Sequence, residues 1–406
     1  MPATDRSDSP DLAQVLGPEQ AVTPAMLYGD ILEHRPLFIL DVRNEEDVAR
    51  WPIEGHRIDT LNIPYYEFLE DEDTSVTRLP TNREMIVVCA KGGASDYVAE
   101  ILRGRGMRAH NLEGGMIALG GYYDTREIVS EPYGRIVQVS RLARGDLSFV
   151  LISGGEALIV DPLRHIEHYL RVVEDAGARI SLIFDTHAHA DHISGGLALA
   201  RETGAPYYLH PYDAIHPMDM LPARFGFESL ADGQRHRLGQ FEIEVVWFPG
   251  HTLGQVNFLA TAPSGQSFLW SGDGVFLHSF GRPDLGGKGE TWAPILYDSL
   301  FEVLPRRVPE EALLMPAHFG MFTEARPGGR FAAPLSEVRR LNEWLSPQPK
   351  EAFVEYMLHH LPVFPPQYVQ IKRVNLGLVE PDETEATELE LGKNICALES
   401  TQSTIL

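Results

Sequence analysis

The segment THAHADH, residues 186–192, places three histidines and an aspartate within six residues. The apolar run SLIF before it predicts a buried strand, so these side chains follow the end of a strand. If the strand extends to His189, then His187 and His189 project to one side, because side chains alternate along a strand. One histidine at such a junction is usually structural, but this density of imidazole and carboxylate groups predicts a transition-metal site.

Further donors follow three later apolar runs, each of which predicts a strand. His251 ends EIEVVWFPGH, Asp273 ends SFLWSGD, and His318 ends ALLMPAH. Open α/β sheets gather their ligands at strand ends, so we expect one site to collect all the donors. The seven predicted donors are His187, His189, Asp191, His192, His251, Asp273 and His318.

A second candidate site surrounds Cys89, which ends the apolar run MIVVC. Gly92 and Gly93 permit a tight turn, and a helix is predicted from about Ser95. Backbone N–H groups in such a turn, together with the positive end of a helix dipole, stabilise a thiolate or persulfide. We therefore predict that Cys89 is a catalytic persulfide carrier rather than a small core residue. Lys91, Gly92, Gly93 and Ser95 are the predicted substrate-binding residues, with Lys91 holding an anionic sulfur donor.

Length and composition restrict the classes of function. A chain of 406 residues exceeds what one core usually serves, which predicts two domains. The formal net charge of −24 disfavours nucleic acid and membrane surfaces as partners. Two cysteines cannot supply a disulfide framework, and the amino terminus lacks the basic and apolar regions of a signal peptide. We therefore expect a cytoplasmic protein.

Strands and helices alternate in the first part of the chain, which predicts a parallel sheet with helices on both faces. The stretch GGYYDTREIVSEPYG interrupts this pattern and predicts a linker. The tail is acidic and is expected to be partly disordered. The predicted boundaries are a flexible lead at 1–20, a first domain at 21–125, a linker at 126–134, a second domain at 135–380 and an acidic tail at 381–406.

The first domain resembles the rhodanese family. The strings ILDVRNEEDVARWPIEGH, LNIPYYEF, VVCAKGGAS and NLEGGMIAL stand in that family's usual order. The resemblance implies that Cys89 carries the transferred sulfur, and Asp41 and Arg43 are expected to have structural roles. Many rhodaneses have an arginine where this chain has Ala94, which implies poor binding of the thiosulfate dianion and less effect on persulfide donors.

The second domain resembles the metallo-β-lactamase superfamily, whose hallmark is THxHxDH followed by later His, Asp and His. The resemblance implies an αββα sandwich. The strings THAHADHISGG, PGHTLGQVNF, SGDGVF, GRPDL and ILYDSLFEVLP are similar to the persulfide dioxygenase branch, and EAFVEYMLHHLPVFPPQYVQIKRVNLG to its C-terminal stretch. That branch implies one Fe(II) per chain on His187, His251 and Asp273. Two histidines and one carboxylate leave positions open for O₂ and a sulfur ligand.

The resemblance implies oxidation of a low-molecular-weight thiol persulfide, such as glutathione persulfide, to sulfite and thiol. The other donors, His189, Asp191, His192 and His318, would then orient the ligands or hold water. Arg282 is a candidate clamp for a substrate carboxylate, although a loop salt bridge is an equally good interpretation. Phe319 and Gly320 follow His318 where the best-known dioxygenases have aspartate and tyrosine, so a hydrogen bond that supports His318 is either missing or replaced from elsewhere.

Two alternatives stay open. All seven donors also suit a two-metal zinc hydrolase of the glyoxalase II type, which cleaves thioesters with metal-activated water. A non-enzymatic persulfide sensor on a degenerate metal fold is disfavoured by the intact donor set. The sequence leaves open the thiol carrier, the direction of sulfur transfer and whether the chain forms a homo-oligomer. Cys396 has no activating neighbour in sequence and is interpreted as an ordinary thiol.

Overall fold

The structure is a computed structural model that describes residues 21–361, 363–394 and 396. The predicted flexible lead, 1–20, lies outside the described residues, as does the end of the predicted tail, 397–406. The chain divides into two compact units, Met1–Tyr122 and Tyr123–Leu406.

The first unit contains a parallel four-stranded sheet with the strand order β2-β1-β3-β4. The strands are β1 (Leu37–Asp41), β2 (Ile58–Asn62), β3 (Met85–Val88) and β4 (Ala109–Asn111). The helices are α1 (Pro24–Leu32), α2 (Glu45–Arg50), α3 (Tyr65–Glu70), α4 (Glu72–Thr77), α5 (Gly93–Gly104) and α6 (Gly115–Gly120). As predicted, this unit is an α/β domain built on a parallel sheet.

The apolar character of the central strands of this sheet follows from their burial. Every residue of β1 and β3 is buried, as expected for a parallel sheet covered by helices. Helix α5 packs Val98, Ala99 and Leu102 into the same core as β3. Cys89 follows β3 directly, so the thiol lies at the carboxyl end of the sheet.

The second unit contains two sheets and has the predicted αββα architecture. One sheet has seven strands in the order β11-β10-β9-β8-β7-β6-β5, and the other has six in the order β12-β13-β14-β15-β16-β17. The strands are β5 (Tyr123–Glu131), β6 (Gly134–Arg141), β7 (Asp146–Ser153), β8 (Glu156–Val160), β9 (Arg179–Phe184), β10 (Tyr207–Leu209), β11 (Glu228–Ser229), β12 (Arg235–Leu238), β13 (Phe241–Trp247), β14 (Val256–Thr261), β15 (Ser267–Gly272), β16 (Leu313–Pro316) and β17 (Ala333–Pro334).

Eight α-helices are described in the second unit. They are α7 (Glu167–Asp175), α8 (Gly196–Thr203), α9 (Gly289–Asp298), α10 (Leu304–Arg307), α11 (Leu335–Leu341), α12 (Lys350–His359), α13 (Pro366–Asn375) and α14 (Glu383–Glu390). Over the described part of the chain, no helix is both long and apolar enough to cross a membrane.

The predicted linker is a strand. Most of 126–134 belongs to β5, which pairs antiparallel with β6 at the edge of the seven-stranded sheet. Its side chains are mostly exposed or half-buried, because an edge strand of this kind has one solvated face. The sequence of β5 therefore lacks the continuous apolar run that is typical of the inner strands. The boundary between the two units lies between Tyr122 and Tyr123, ahead of the predicted linker.

The described part of the predicted acidic tail also has regular structure. Helix α14 begins with a capping box, in which Asp382 and Glu385 satisfy each other's backbone N–H groups. Glu390 at the end of the helix is buried and pairs with Arg141 and Arg164. Ion pairs with residues far away in sequence therefore hold this segment to the rest of the second unit. The amino-acid composition of the segment does not reveal such pairs.

Candidate functional site

Loops that follow strand ends carry the seven predicted donors. Strand β9 ends at Phe184, so the THAHADH segment lies in a loop and the strand does not extend to His189. His251 follows β13, Asp273 follows β15, and His318 follows β16. All seven side chains are fully buried and together form two neighbouring groups of potential ligands.

The first group contains His187, His251 and Asp273, whose ligand atoms lie within 4.8 Å of one another. Asp273 Oδ2 lies 3.8 Å from His187 Nε2 and 3.3 Å from His251 Nε2. Among the described residues, neither Nε2 atom and neither Asp273 oxygen has a hydrogen-bond partner. Buried polar atoms without partners are costly, so this arrangement fits a bound cation.

Contacts made by the Nδ1 atoms orient the two imidazole rings of this group. His251 Nδ1 donates to the backbone oxygen of Arg282 at 2.9 Å, and His187 Nδ1 lies 3.0 Å from Thr186 Oγ1. Burial lowers the pKa of His251 to about 3 and holds the pKa of His187 well below its ordinary value. Both rings are therefore neutral. In each ring Nδ1 contacts its own partner and Nε2 faces Asp273, so that Nε2 is the atom available to bind a metal ion.

The second group contains His189, Asp191, His192 and His318. His318 Nε2 lies 2.8 Å from Asp191 Oδ2 and 3.3 Å from Asp273 Oδ1, so Asp273 adjoins both groups. Burial alone would lower the pKa of His192, but Asp146 and Asp191 raise it to about 10. A metal ion in this group would have to displace protons from histidines before binding.

Asp146 supplies the partner that the sequence after His318 lacks. Its Oδ1 lies 3.3 Å from His318 Nδ1 and 3.4 Å from His192 Nδ1. Its Oδ2 accepts hydrogen bonds from Arg141 Nη2 at 2.5 Å and Arg141 Nε at 3.0 Å. Asp146 begins β7, where no sequence motif distinguishes it.

Two further aspartates support the ligand loops and were missed by sequence reasoning. Asp161 lies after β8 and its Oδ1 is 3.1 Å from His189 Nε2. Asp213 lies after β10, and its Oδ2 accepts from Ala188 N at 2.7 Å and from Thr252 Oγ1 at 2.8 Å. Asp213 therefore joins the loop of His187 to the loop of His251.

Residues far along the chain also hold the THAHADH loop. Asn375 at the end of α13 donates from Nδ2 to His189 O at 2.9 Å and to His192 O at 2.8 Å. Glu390 Oε1 accepts from Ile193 N at 2.8 Å. Cys396 is fully buried, and its sulfur lies within 4.8 Å of carboxylate oxygens of Asp191 and Asp273. The interpretation of Cys396 as an ordinary thiol considered only its neighbours in sequence.

Arg282 takes part in a loop salt bridge. Its guanidinium is fully buried and pairs with Asp284, with Nε–Oδ1 at 2.6 Å and Nη2–Oδ2 at 2.7 Å. The structure thus places Arg282 in the arrangement that was the alternative to a substrate clamp. Binding of a substrate carboxylate would require Asp284 to release the guanidinium.

The thiol loop of the first unit has the predicted turn-and-helix form. Gly92 has φ +93°, a left-handed conformation that favours glycine, and its N–H lies 3.0 Å from Cys89 Sγ. Ser95 Oγ lies 3.1 Å from the same sulfur and 2.6 Å from Asn111 Oδ1. Cys89 itself is buried, whereas Lys91 is exposed. The loop thus surrounds the sulfur with hydrogen-bonding groups from its own turn.

Asp41 and Arg43 have the structural role that was expected of them. Arg43 Nη2 lies 2.6 Å from Asp41 Oδ2 and 2.8 Å from Trp51 O. The pair is buried beside the sheet and ties the segment after β1 to the end of α2.

Comparison with known proteins assigns both units to families. The model of the metallo-beta-lactamase superfamily matches residues 144–318, and the model of the rhodanese-like domain matches residues 23–119. The mitochondrial persulfide dioxygenase ETHE1 of Mus musculus is 29% identical over 164 residues, which cover 40% of this chain and 59% of that protein. Hydroxyacylglutathione hydrolase of Nitrosococcus oceani is 30% identical over 210 residues, which cover 49% of this chain and 72% of that protein.

The fold of the second unit also has a counterpart among solved structures. The crystal structure of a metallo-beta-lactamase from Staphylococcus aureus subsp. aureus COL is similar with a TM-score of 0.51 and 23% identity, covering 63% of this chain and 73% of that chain. This similarity concerns the fold alone. The chain belongs to the metallo-β-lactamase superfamily and carries a rhodanese-like domain ahead of that fold.

Proposed function

We propose that the second unit is an iron-dependent dioxygenase for low-molecular-weight thiol persulfides such as glutathione persulfide. The reaction is RSSH + O₂ + H₂O → RSH + H₂SO₃, in which the terminal sulfur is oxidised and O₂ is reduced. The observation that carries the proposal is the buried group of His187, His251 and Asp273, with unpartnered ligand atoms. The similarity to persulfide dioxygenases over 40% of the chain supports it.

The donor set fits Fe(II), because two imidazoles and one carboxylate are the usual ligands of non-haem iron oxygenases. When bound, iron would supply oxygen activation and a position for the substrate sulfur. The chain's own residues hold His187 and His251 in the neutral form and fix both rings through their Nδ1 atoms. Complete burial of the three ligands excludes bulk water from the group.

Metal analysis of anaerobically purified protein, combined with oxygen-electrode assays on glutathione persulfide, tests the proposal. We expect about one iron per chain and persulfide-dependent oxygen uptake. Single His187→Ala, His251→Ala and Asp273→Ala variants should each lose both bound iron and oxygen uptake. Two zinc ions per chain with no oxygen uptake would overturn the proposal.

The second candidate function is thioester hydrolysis by a two-zinc centre. The complete second ligand group, His189, Asp191, His192 and His318, favours this candidate, as does the similarity to hydroxyacylglutathione hydrolases. In that case a metal-activated water would attack the thioester carbonyl. Hydrolysis of a glutathione thioester in the absence of O₂ would distinguish this function from the oxygenase.

We further propose that the first unit transfers sulfane sulfur through Cys89. The Cys89 thiolate would attack the sulfane sulfur of a donor, which releases the donor's thiolate and leaves a persulfide on Cys89. A small thiol would then take this sulfur and become the substrate of the second unit. The contact of Cys89 Sγ with Gly92 N supports this role, since a backbone N–H group stabilises a sulfur anion.

A further inference from the structure

Cys396 lies within the candidate metal centre although it is distant in sequence from every predicted ligand. Its side chain is fully buried, and its Sγ lies within 4.8 Å of ligand atoms of both Asp191 and Asp273. Asp273 belongs to the His187 group, and Asp191 belongs to the neighbouring group. The sulfur therefore lies where the two groups of ligands adjoin.

The position of Cys396 is determined by contacts on several sides. Its backbone oxygen accepts from Arg282 N at 3.0 Å, and Arg282 O in turn accepts from the ligand His251. Its backbone N–H donates to Asn394 Oδ1 at 2.8 Å. Its Sγ lies 3.2 Å from the hydroxyl oxygen of Tyr368 on α13. A sulfur held in this way is part of the site rather than a neighbour by chance.

Independent evidence for a ligand comes from the atoms that the sulfur faces. Both oxygens of Asp273 are buried and have no hydrogen-bond partner within the described ranges, while Asp191 Oδ2 lies 2.8 Å from His318 Nε2. Asp191 already accepts from His192 N at 3.1 Å, whereas the buried Asp273 carboxylate has no such bond and requires a positive charge to offset its desolvation. A cation between them would come within reach of the sulfur as well.

We propose that Cys396 is a thiolate ligand of the metal centre, on the side formed by Asp191 and Asp273. Binding of a divalent ion replaces the thiol proton, so that Cys–SH + M²⁺ → Cys–S–M⁺ + H⁺ without any change of oxidation state. A thiolate favours thiophilic ions such as Fe²⁺, Co²⁺ and Zn²⁺ over Mg²⁺ and Ca²⁺. The assignment concerns the metal alone and holds for either candidate reaction.

Cobalt substitution tests the assignment without substrate or O₂. The full chain is purified free of metal and of external thiols and is then titrated with Co(II). We expect a thiolate-to-cobalt charge-transfer band in the near ultraviolet for the wild-type protein. Cys396→Ser should lose the band while still binding cobalt, and Cys89→Ser is the matched control that should keep it. A wild-type protein that binds cobalt without the band would overturn the assignment, as would a band that persists in Cys396→Ser.

Two measurements keep the test decisive if Cys396→Ser folds poorly. X-ray absorption on the wild-type iron or zinc protein should detect a sulfur scatterer at about 2.3 Å. Only nitrogen and oxygen scatterers would mean that Cys396 stays a protonated thiol beside the carboxylates. Protons released on metal binding should also fall by about one per chain in Cys396→Ser relative to Cys89→Ser. Equal proton release by the two folded variants would overturn the assignment.

Discussion

The Asp213 carboxylate and the Thr252 hydroxyl lie 2.8 Å apart, and this hydrogen bond attaches the loop after β10 to the loop that carries His251. The same oxygen of Asp213 accepts from Ala188 N, and the other oxygen accepts from Gly254 N at 3.1 Å. One buried side chain thus fixes the distance between the two loops that provide the histidines of the first ligand group. None of its bonds involves a ligand atom, so its effect on the metal is purely one of position.

We expect Asp213→Asn to weaken metal binding by about tenfold to a hundredfold, the usual effect of removing a partner behind a ligand. The asparagine side chain has one acceptor oxygen in place of two, so it cannot accept the hydrogen bonds of all three donors, Ala188 N, Thr252 Oγ1 and Gly254 N. The measurement is competition with a chelator of known affinity. Asp219→Asn is the control, because Asp219 forms a half-exposed salt bridge with Arg373 outside the ligand loops. Equal affinities of the two variants would contradict this role of Asp213.

Glu390 is expected to be important for stability. It pairs with Arg141 at 2.9 Å and with Arg164 at 3.0 Å, and Arg141 is buried. Removing one partner leaves an incompletely compensated buried charge, so Glu390→Gln should lower the free energy of unfolding by about 3 kcal/mol. Urea unfolding measures the change. Glu388→Gln on the same helix changes an exposed residue and should have little effect.

Glu324 makes stability depend on pH. Its Oε1 accepts from Gly320 N and Met321 N, and burial raises the pKa of Glu324 from 4.5 to about 7. The folded chain therefore retains a proton that the unfolded chain has lost between these two values. The free energy of unfolding should fall as pH rises from about 4.5 to about 7, by at most about 3 kcal/mol.

Urea unfolding across this pH range measures the slope. Glu324→Gln cannot ionise and should flatten it, whereas Glu311→Gln at an exposed position should leave it unchanged. A slope that is the same in Glu324→Gln and in the wild-type protein would show that another group causes it.

Cys89 should be the only cysteine that becomes persulfidated when the protein is exposed to a polysulfide. Its sulfur lies at a turn and accepts from Gly92 N, whereas Cys396 is fully buried among carboxylates. Mass spectrometry of peptides from the treated protein identifies the modified cysteine. Modification of Cys396 with Cys89 unchanged would refute the prediction.

The two reactions should be separable by one substitution. Cys89→Ser should keep oxygen uptake on preformed glutathione persulfide nearly intact, because it alters no metal ligand. The same variant should lose oxygen uptake when it is supplied only with a polysulfide and glutathione. Full activity in this coupled assay would mean that sulfur transfer through Cys89 does not feed the dioxygenase.

The candidate ligands stand out in the sequence because their residue types are dense there and follow recognisable strands. The residues behind them do not. Asp146 starts a strand, and Asp213 lies in an irregular loop; both resemble ordinary surface acids until the fold brings them to histidines far along the chain. Asn375 and Cys396 reach the centre from the other end of the domain, which no local pattern indicates.

The secondary structure likewise includes elements that the sequence predicts and elements that it does not. The inner strand β3 is apolar throughout, and the run MIVVC predicts it, whereas the buried strands β1 and β7 each contain an aspartate. The edge strand β5 has one solvated face and polar residues along it, a pattern that predicts a linker rather than a strand. Helix α14 is acidic, and its attachment depends on Arg141 and Arg164 rather than on an apolar stripe.

The contact between Glu390 and Ile193 joins residues 197 positions apart and has a consequence for biosynthesis. At roughly 5 to 20 residues per second, a ribosome makes the ligand loop about 10 to 40 s before it makes Glu390. Through all of that interval the nascent chain carries its histidines without Glu390 or Cys396 to hold them, and through most of it without Asn375. Insertion of the metal into its finished setting is therefore a late event, and a chain released early would carry an exposed cluster of histidines able to bind the wrong ion.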